Sequence, residues 1–407
     1  MAKWKMYTPE GMQDILPWEC YPKRVIEERL RSLFRSFAYY EAETPAVEFL
    51  DVFSAEPGLT PQETMFKSFD EQGRILVLRP DITIPVVRMA ATKFRDLPEP
   101  YKIFYIGNMY RFDEHGGGRQ KEFTQAGAEL LGADTPEADA EIISIAANAM
   151  LAAGLKEFQI DIGQVGFFKG LMHEAGLQGD EIEKYRQLVD RKDIIGIEEL
   201  AENRKIREDI KKLLTKLPVS FGSPEAVADF RSKAPNSICR EALDNISEVI
   251  GILEDYGLGK YISIDLGMVS SLKYYSGIIF KGFTYGIGYP LLSGGRYDGL
   301  SEIFGVKRPA TGFSMGINML MSAMSRQKIG PAKPLTEYLV WYDRNDPEAR
   351  RLAFAKAETL RREGFTTEVC ISGKNIGDAC IYASSKGIGE VLEIKADGTF
   401  SKHAARK

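Results

Sequence analysis

The chain has 407 residues, 44% hydrophobic and 27% charged, enough apolar content for a large core spread over two or three domains. No apolar run approaches the roughly 20 residues that cross a bilayer, and the opening Met1-Ala2-Lys3-Trp4-Lys5 lacks the apolar stretch of a signal peptide. The net charge of −5 speaks against a wholly basic nucleic-acid surface but leaves room for a local basic face.

Cys20, Cys239, Cys370 and Cys380 are scattered, without the spacing of a disulfide framework or a CxxC site. The histidines His115, His173 and His403 lie too far apart in sequence to suggest a metal cluster. The expectation is a cytoplasmic protein with no membrane segment, metal or cofactor.

In chain order, Pro9 to Pro17 reads as a turn-rich entry. Val25, Ile26, Leu30, Leu33 and Phe34 then recur at helical spacing within a helix from about Tyr21 to Ala38. Tyr39 to Glu48 favours strand, interrupted by Pro45. A turn at Asp70-Glu71-Gln72-Gly73 separates two strands ending near Leu78, and Ile82 to Lys93 reads as helix. Strands are expected at Lys102 to Phe112 and Phe123 to Leu131, paired across the Gly116-Gly117-Gly118 loop. From about 168 to 255 the composition shifts to Lys, Glu, Asp and Leu, the pattern of a helical insertion, with exposed amphipathic helices over Glu198 to Leu214.

Strands resume at Tyr261 to Asp265 and Ile278 to Phe283, and a last core helix covers Gly316 to Met324. These elements predict an α+β core over 1–325 with a mostly antiparallel sheet, a linker over 326–335, and a C-terminal α/β domain over 336–407. In the last of these, Glu337 to Tyr342 is a strand and Asp346-Pro347 opens a helix that stops near Gly364. Strands are also expected at Thr366 to Ile371 and Glu390 to Ile394, with a second helix between them.

Four stretches concentrate the chemistry: Leu78-Arg79-Pro80-Asp81-Ile82-Thr83; Tyr110-Arg111 through Gln125-x-Gly-x-Glu129; Ser270-Ser271-Leu272-Lys273-Tyr274-Tyr275; and Ser293 to Gly299, followed by Gly316-Ile317-Asn318-Met319-Leu320. Singly, each residue has an ordinary reading: Asp81 as a helix cap, Glu129 as a surface acid, Tyr274 and Tyr275 as core aromatics. Ser293 to Gly299 reads as a tight turn between strand and helix, because its glycines match neither the P-loop nor the dinucleotide pattern. Taken together and in this order, the stretches resemble the class II histidyl-tRNA synthetases over nearly the whole chain.

That resemblance implies a class II synthetase-like antiparallel sheet flanked by helices, with the helical insertion and a shortened anticodon-binding-like domain. It also implies a histidine site. Asp81, Thr83 and Gln125 would receive the ammonium, Arg111 the carboxylate, and Glu129 the imidazole. Tyr275, with Tyr274 beside it, would close the pocket.

The chain departs from the family where phosphate is handled. Ser270 and Met319 stand at the positions of two family arginines, and Arg-His-Glu-Arg has become Arg111-Phe112-Asp113-Glu114. Losing one fixed donor of this kind costs roughly 10²–10³ in rate, so losing two should be near-fatal to adenylation.

The combined pattern resembles the synthetase-like regulatory subunits of bacterial histidine biosynthesis. By that resemblance the chain would be non-catalytic and would form a homodimer through its synthetase-like core. It would join the short-form ATP phosphoribosyltransferase catalytic subunit in a larger hetero-oligomer, with histidine as feedback ligand and no tRNA. A divergent histidyl-tRNA synthetase is the alternative, and an adenylating ligase acting on another carrier is a third.

Overall fold

The apolar stripe of the first helix does form a helix, Pro17–Ser36 (α1), and it starts one turn earlier than the spacing suggests. Pro17 occupies the first helical position, where its missing N–H costs nothing. Pro22 lies inside the helix. The structure, a computed structural model, describes residues 3–54, 61–112, 120–222, 224–269, 275–330, 335–371 and 374–404. The glycine loop at 116–118, His115, Ser270 and Tyr274 fall outside these residues.

After α1 come β1 (Tyr40–Glu41), β2 (Val47–Phe49), α2 (Asp51–Ser54), β3 (Lys67–Phe69), β4 (Ile75–Leu78) and α3 (Thr83–Lys93). Two ten-residue strands follow, β5 (Tyr101–Tyr110) and β6 (Glu122–Leu131), antiparallel along their whole length. Next are α4 (Pro136–Ala152) and β7 (Phe158–Gln164).

A run of helices then intervenes: α5 (Val165–Glu174), α6 (Asp180–Asp190), α7 (Ile194–Asn203), α8 (Glu208–Lys216), α9 (Pro224–Ser232) and α10 (Ser237–Asp255), with the short β8 (Phe221–Gly222) among them. The stretch expected to be helical over Glu198 to Leu214 breaks between α7 and α8. The core closes with β9 (Ile262–Asp265), β10 (Ile278–Thr284), β11 (Leu292–Arg296), β12 (Ala310–Gly316) and α11 (Ile317–Arg326). The remaining elements are β13 (Tyr338–Tyr342), α12 (Pro347–Arg362), β14 (Thr367–Val369), α13 (Ile376–Lys386), β15 (Glu390–Ile394) and β16 (Phe400–Ala404).

The chain divides into two compact units, Met1–Asp14 with Ile26–Ile329, and Ile15–Val25 with Gly330–Lys407. The first holds a nine-stranded sheet in the order β1-β5-β6-β12-β11-β10-β7-β9-β8, and a small sheet β2-β4-β3. Its large sheet is antiparallel except at β1–β5 and β7–β9. Parallel neighbours need a crossover, and the helical insertion α5–α10 is the crossover that carries the chain from β7 to β9.

Alternation sorts side chains between the faces of this sheet. Phe104, Ala126, Ala128, Leu130, Ile278, Phe280 and Phe313 enter a core shared with α4 and α10. Ile103, Tyr105, Leu131, Ile279 and Ala310 face the opposite cluster, which includes Ile84, Val86 and Val87 of α3.

One preferred reading and one single-residue alternative need correcting. Ser293 to Arg296 is not a turn but most of β11, bonded to β10 on one side and β12 on the other. Its glycines serve crowding: a methyl group on Gly294 would run into the Phe280 ring and into β12 at Gly312 and Phe313. Glu129 is not a surface acid, since none of it is exposed. Elements absent from the sequence reading include α2, α4, β7, β8, β12 and β16.

The second unit carries a four-stranded sheet, β14-β13-β15-β16, parallel except for β16. Asp346 caps α12 by accepting from the backbone N–H groups of Glu348 and Ala349, with Pro347 in the first turn. Leu339 and Val391 face one core, Val340 and Leu392 the other. Burial on both faces is the usual condition of a parallel sheet.

Candidate functional site

Because β6 alternates, Gln125, Gly127 and Glu129 share one face while Ala126, Ala128 and Leu130 pack into the core behind it. On that face, in the first unit, lies a cavity of about 750 Å³. Its lining contains Asp81, Thr83, Arg111, Gln125, Glu129 and Tyr275, every described residue of the expected site, and also Met319. Tyr274 is outside the described residues.

The first stretch of the site is held by an arginine to which sequence reasoning gave no role. Arg79 is buried and donates to the backbone carbonyls of Thr44 and Asn108 at 2.6 and 2.8 Å. The guanidinium lies so close to Gly107 that a methyl group there would collide with it. Fixing Arg79 fixes Asp81, two residues on. Asp81 Oδ1 accepts from the backbone N–H of Ile84 at 2.8 Å, so the helix-capping reading and the cavity reading are both true of this residue. Burial raises its pKa, partly opposed by the nearby Arg111 guanidinium.

Glu129 sits at the inner end of the cavity. Its Oε1 accepts from Thr83 Oγ1 at 2.8 Å and from the Tyr105 hydroxyl at 3.3 Å, and its Oε2 accepts from the Tyr297 hydroxyl. Burial pushes the carboxyl up to about 8, Asp81 adds to the rise, and the hydroxyl donors oppose it. Burial and the same acid raise the Tyr105 phenol well above its ordinary range.

Space for this cluster is made by two glycines. A methyl group on Gly127 would strike the Tyr105 ring, and one on Gly312, the cross-strand partner of Glu129, would overlap the Glu129 carboxylate. Tyr105, Tyr297 and Gly312 were not singled out from sequence. Tyr297 was the most visible, standing directly after the glycine pair and Arg296.

Gln125 is half-buried, and its buried amide oxygen has no hydrogen-bond partner among the described residues, so it can accept from a donor in the cavity. The Arg111 guanidinium lies 5.1 Å from the Phe123 ring centroid. Among the described lining residues Arg111 is the one cation, against the acids Glu63, Asp81 and Glu129. Arg296 supports the far wall. Buried beside Asp139, it bonds that acid and Asp298, and so anchors the end of β11 from which Tyr297 projects. Among the described residues no group of three or more His, Cys, Asp or Glu could hold a metal ion. Nor is any helix there long and apolar enough to cross a membrane.

A largely antiparallel sheet carrying this polar cavity, followed by a helix at its last strand, defines a class II synthetase-like domain. A family model described as histidyl-tRNA synthetase matches residues 11–320. A solved structure from Bacillus halodurans C, described as an ATP phosphoribosyltransferase regulatory subunit/histidyl-tRNA synthetase, superposes with a TM-score of 0.82 at 28% identity, covering 97% of this chain and 100% of that one.

Among curated relatives, the ATP phosphoribosyltransferase regulatory subunit of Acetivibrio thermocellus is 56% identical, with 100% of this chain and 97% of the relative aligned. That of Ruminiclostridium cellulolyticum is 50% identical, over 97% and 94%. The chain belongs to the ATP phosphoribosyltransferase regulatory subunit family, built on the histidyl-tRNA synthetase fold.

Proposed function

We propose that this chain is the non-catalytic regulatory subunit of a cytoplasmic ATP phosphoribosyltransferase and that it senses histidine in the cavity without consuming it. The histidine ammonium lies against Asp81, Thr83 and Gln125, its carboxylate against Arg111, and its ring against Glu129 with Tyr275, and Tyr274 beside it, closing over it. Such a site biases an assembly between two states by the difference in affinity between them. The chain works as a homodimer joined to the short-form catalytic subunit in a larger assembly.

One observation carries the reading: the cavity keeps the acids that suit an amino acid, yet Arg111 is the one cation lining it among the described residues. Met319 lines the cavity, and by the synthetase resemblance Met319 and Ser270 stand at the positions of the two family arginines. An adenylating site needs fixed cations around the phosphates, whereas a zwitterion needs a single arginine for its carboxylate.

Calorimetric titration with histidine, repeated in the presence of ATP, tests this. Micromolar binding with no release of pyrophosphate is the expected result. Histidine-dependent pyrophosphate release would identify a working synthetase instead.

The affinity should also have a particular pH profile. Free Glu129 titrates at about 8, and a free imidazole at roughly 6.5. Between these values the empty site holds one proton on Glu129 and the ring holds none to spare. The complex shares that same proton, so binding neither takes up nor releases one and affinity stays level. Below this window the ring must shed a proton to bind, and above it Glu129 must gain one. Affinity therefore falls on both sides, and titrations from about pH 5.5 to about pH 9 would trace it. A steady rise through the upper limit would count against the Glu129–imidazole pairing.

A further inference from the structure

The residues just before β10 are gripped from both sides in an alternating pattern. Ser276 faces β11: its N–H donates to the Arg296 carbonyl at 2.8 Å, and its hydroxyl donates to Asp298 at 2.7 Å. The carbonyls of Tyr275 and Gly277 face α5 instead. Lys169 Nζ donates to the Tyr275 carbonyl at 3.1 Å, and the Val165 N–H donates to the Gly277 carbonyl at 3.0 Å.

One turn of α5 holds both carbonyls, that of Gly277 through the Val165 backbone N–H and that of Tyr275 through the long side chain of Lys169. The helix is itself firmly seated on α10. Asn236, which caps α10 by accepting from the Cys239 N–H, donates to the Gly170 carbonyl at 2.9 Å, and Gly170 lies so close to Cys239 that a methyl group there would clash.

We propose that Lys169 is a positioning residue for the cavity. Its ammonium holds the backbone from which the Tyr275 side chain reaches the cavity wall, and it thereby couples the helical insertion to occupancy of the site. The ligand named here rests on the reading above; the tether itself does not. The contact is a charged donor on a backbone carbonyl, and losing such a bond costs about tenfold in affinity when the held group contacts the ligand.

The test compares the full-length wild type with K169M and K169R, by hydrogen exchange of the 275–279 backbone without ligand and by calorimetric titration with histidine. In K169M, exchange should rise in that segment alone and histidine should bind about tenfold more weakly; K169R, which keeps a charged donor, should restore both. Exchange that stays at the wild-type level overturns the proposal, as does an affinity that holds steady while exchange rises. A wild type that binds no histidine, together with raised exchange in K169M, would sink the ligand assignment and leave the tether standing.

Discussion

Replacing Glu129 with glutamine is expected to weaken histidine binding by about a hundredfold while the protein remains folded. The substitution keeps the shape of the side chain, and the remaining carbonyl oxygen can still accept from Thr83, the shorter of the two bonds to Oε1. The amide NH2 can donate to the Tyr297 hydroxyl, which then turns to accept. What the amide cannot do is share a proton with an imidazole, and that charge-assisted contact accounts for the expected loss. A titration shows the loss, and a melting curve shows that the fold survives. Unchanged affinity in a folded E129Q protein would remove Glu129 from the site.

Gly312→Ala should do harm of a different kind. Gly312 and Glu129 face each other across β12 and β6, and the new methyl group would occupy the volume of the carboxylate. Both backbones lie inside the nine-stranded sheet, so neither can retreat cheaply. Glu129 must leave its rotamer, and the hydroxyls of Thr83, Tyr105 and Tyr297 lose their common acceptor in a buried place. Overpacking together with unsatisfied buried hydroxyls costs about 2–4 kcal/mol.

The expected result is a melting temperature several degrees lower and no detectable histidine binding. The mechanism is checked by placing the same change in an E129A background, where the space is already vacant. There the further cost of Gly312→Ala should shrink sharply. If both backgrounds lose the same stability, the collision with Glu129 is not the cause.

How much of this could be read in advance varied with the kind of signal. The spacing Gln125-x-Gly-x-Glu129 was legible because a strand's period of two is local, so three alternate residues must share a face. The Asp346-Pro347 helix start was legible for the same reason: a cap acts on the next few N–H groups and on nothing distant. The α4 helix escaped notice because it is buried nearly all round, from Ala138 to Met150, and a helix without a polar face has no stripe to detect. Only its cap, Thr135, and the proline after it marked the start. Asp298-Gly299 is a turn before the short helix Leu300–Phe304, but Ser293 to Arg296 was misread because glycines that permit a turn and glycines that make room for neighbouring strands look alike in one dimension.

By itself the sequence determined the nature and order of the polar groups that line the cavity: Asp81, Thr83, Arg111, Gln125, Glu129 and Tyr275. These are covalent facts, and the chemistry of each group travels with it. The tertiary structure decided which of them meet, and what surrounds them. Glu129 lies in the middle of the sheet, so burial raises its pKa and three hydroxyls from three separate elements converge on it. No spacing along the chain encodes that convergence, because it depends on strands β5, β6, β11 and β12 lying side by side although nearly 200 residues separate the first from the last.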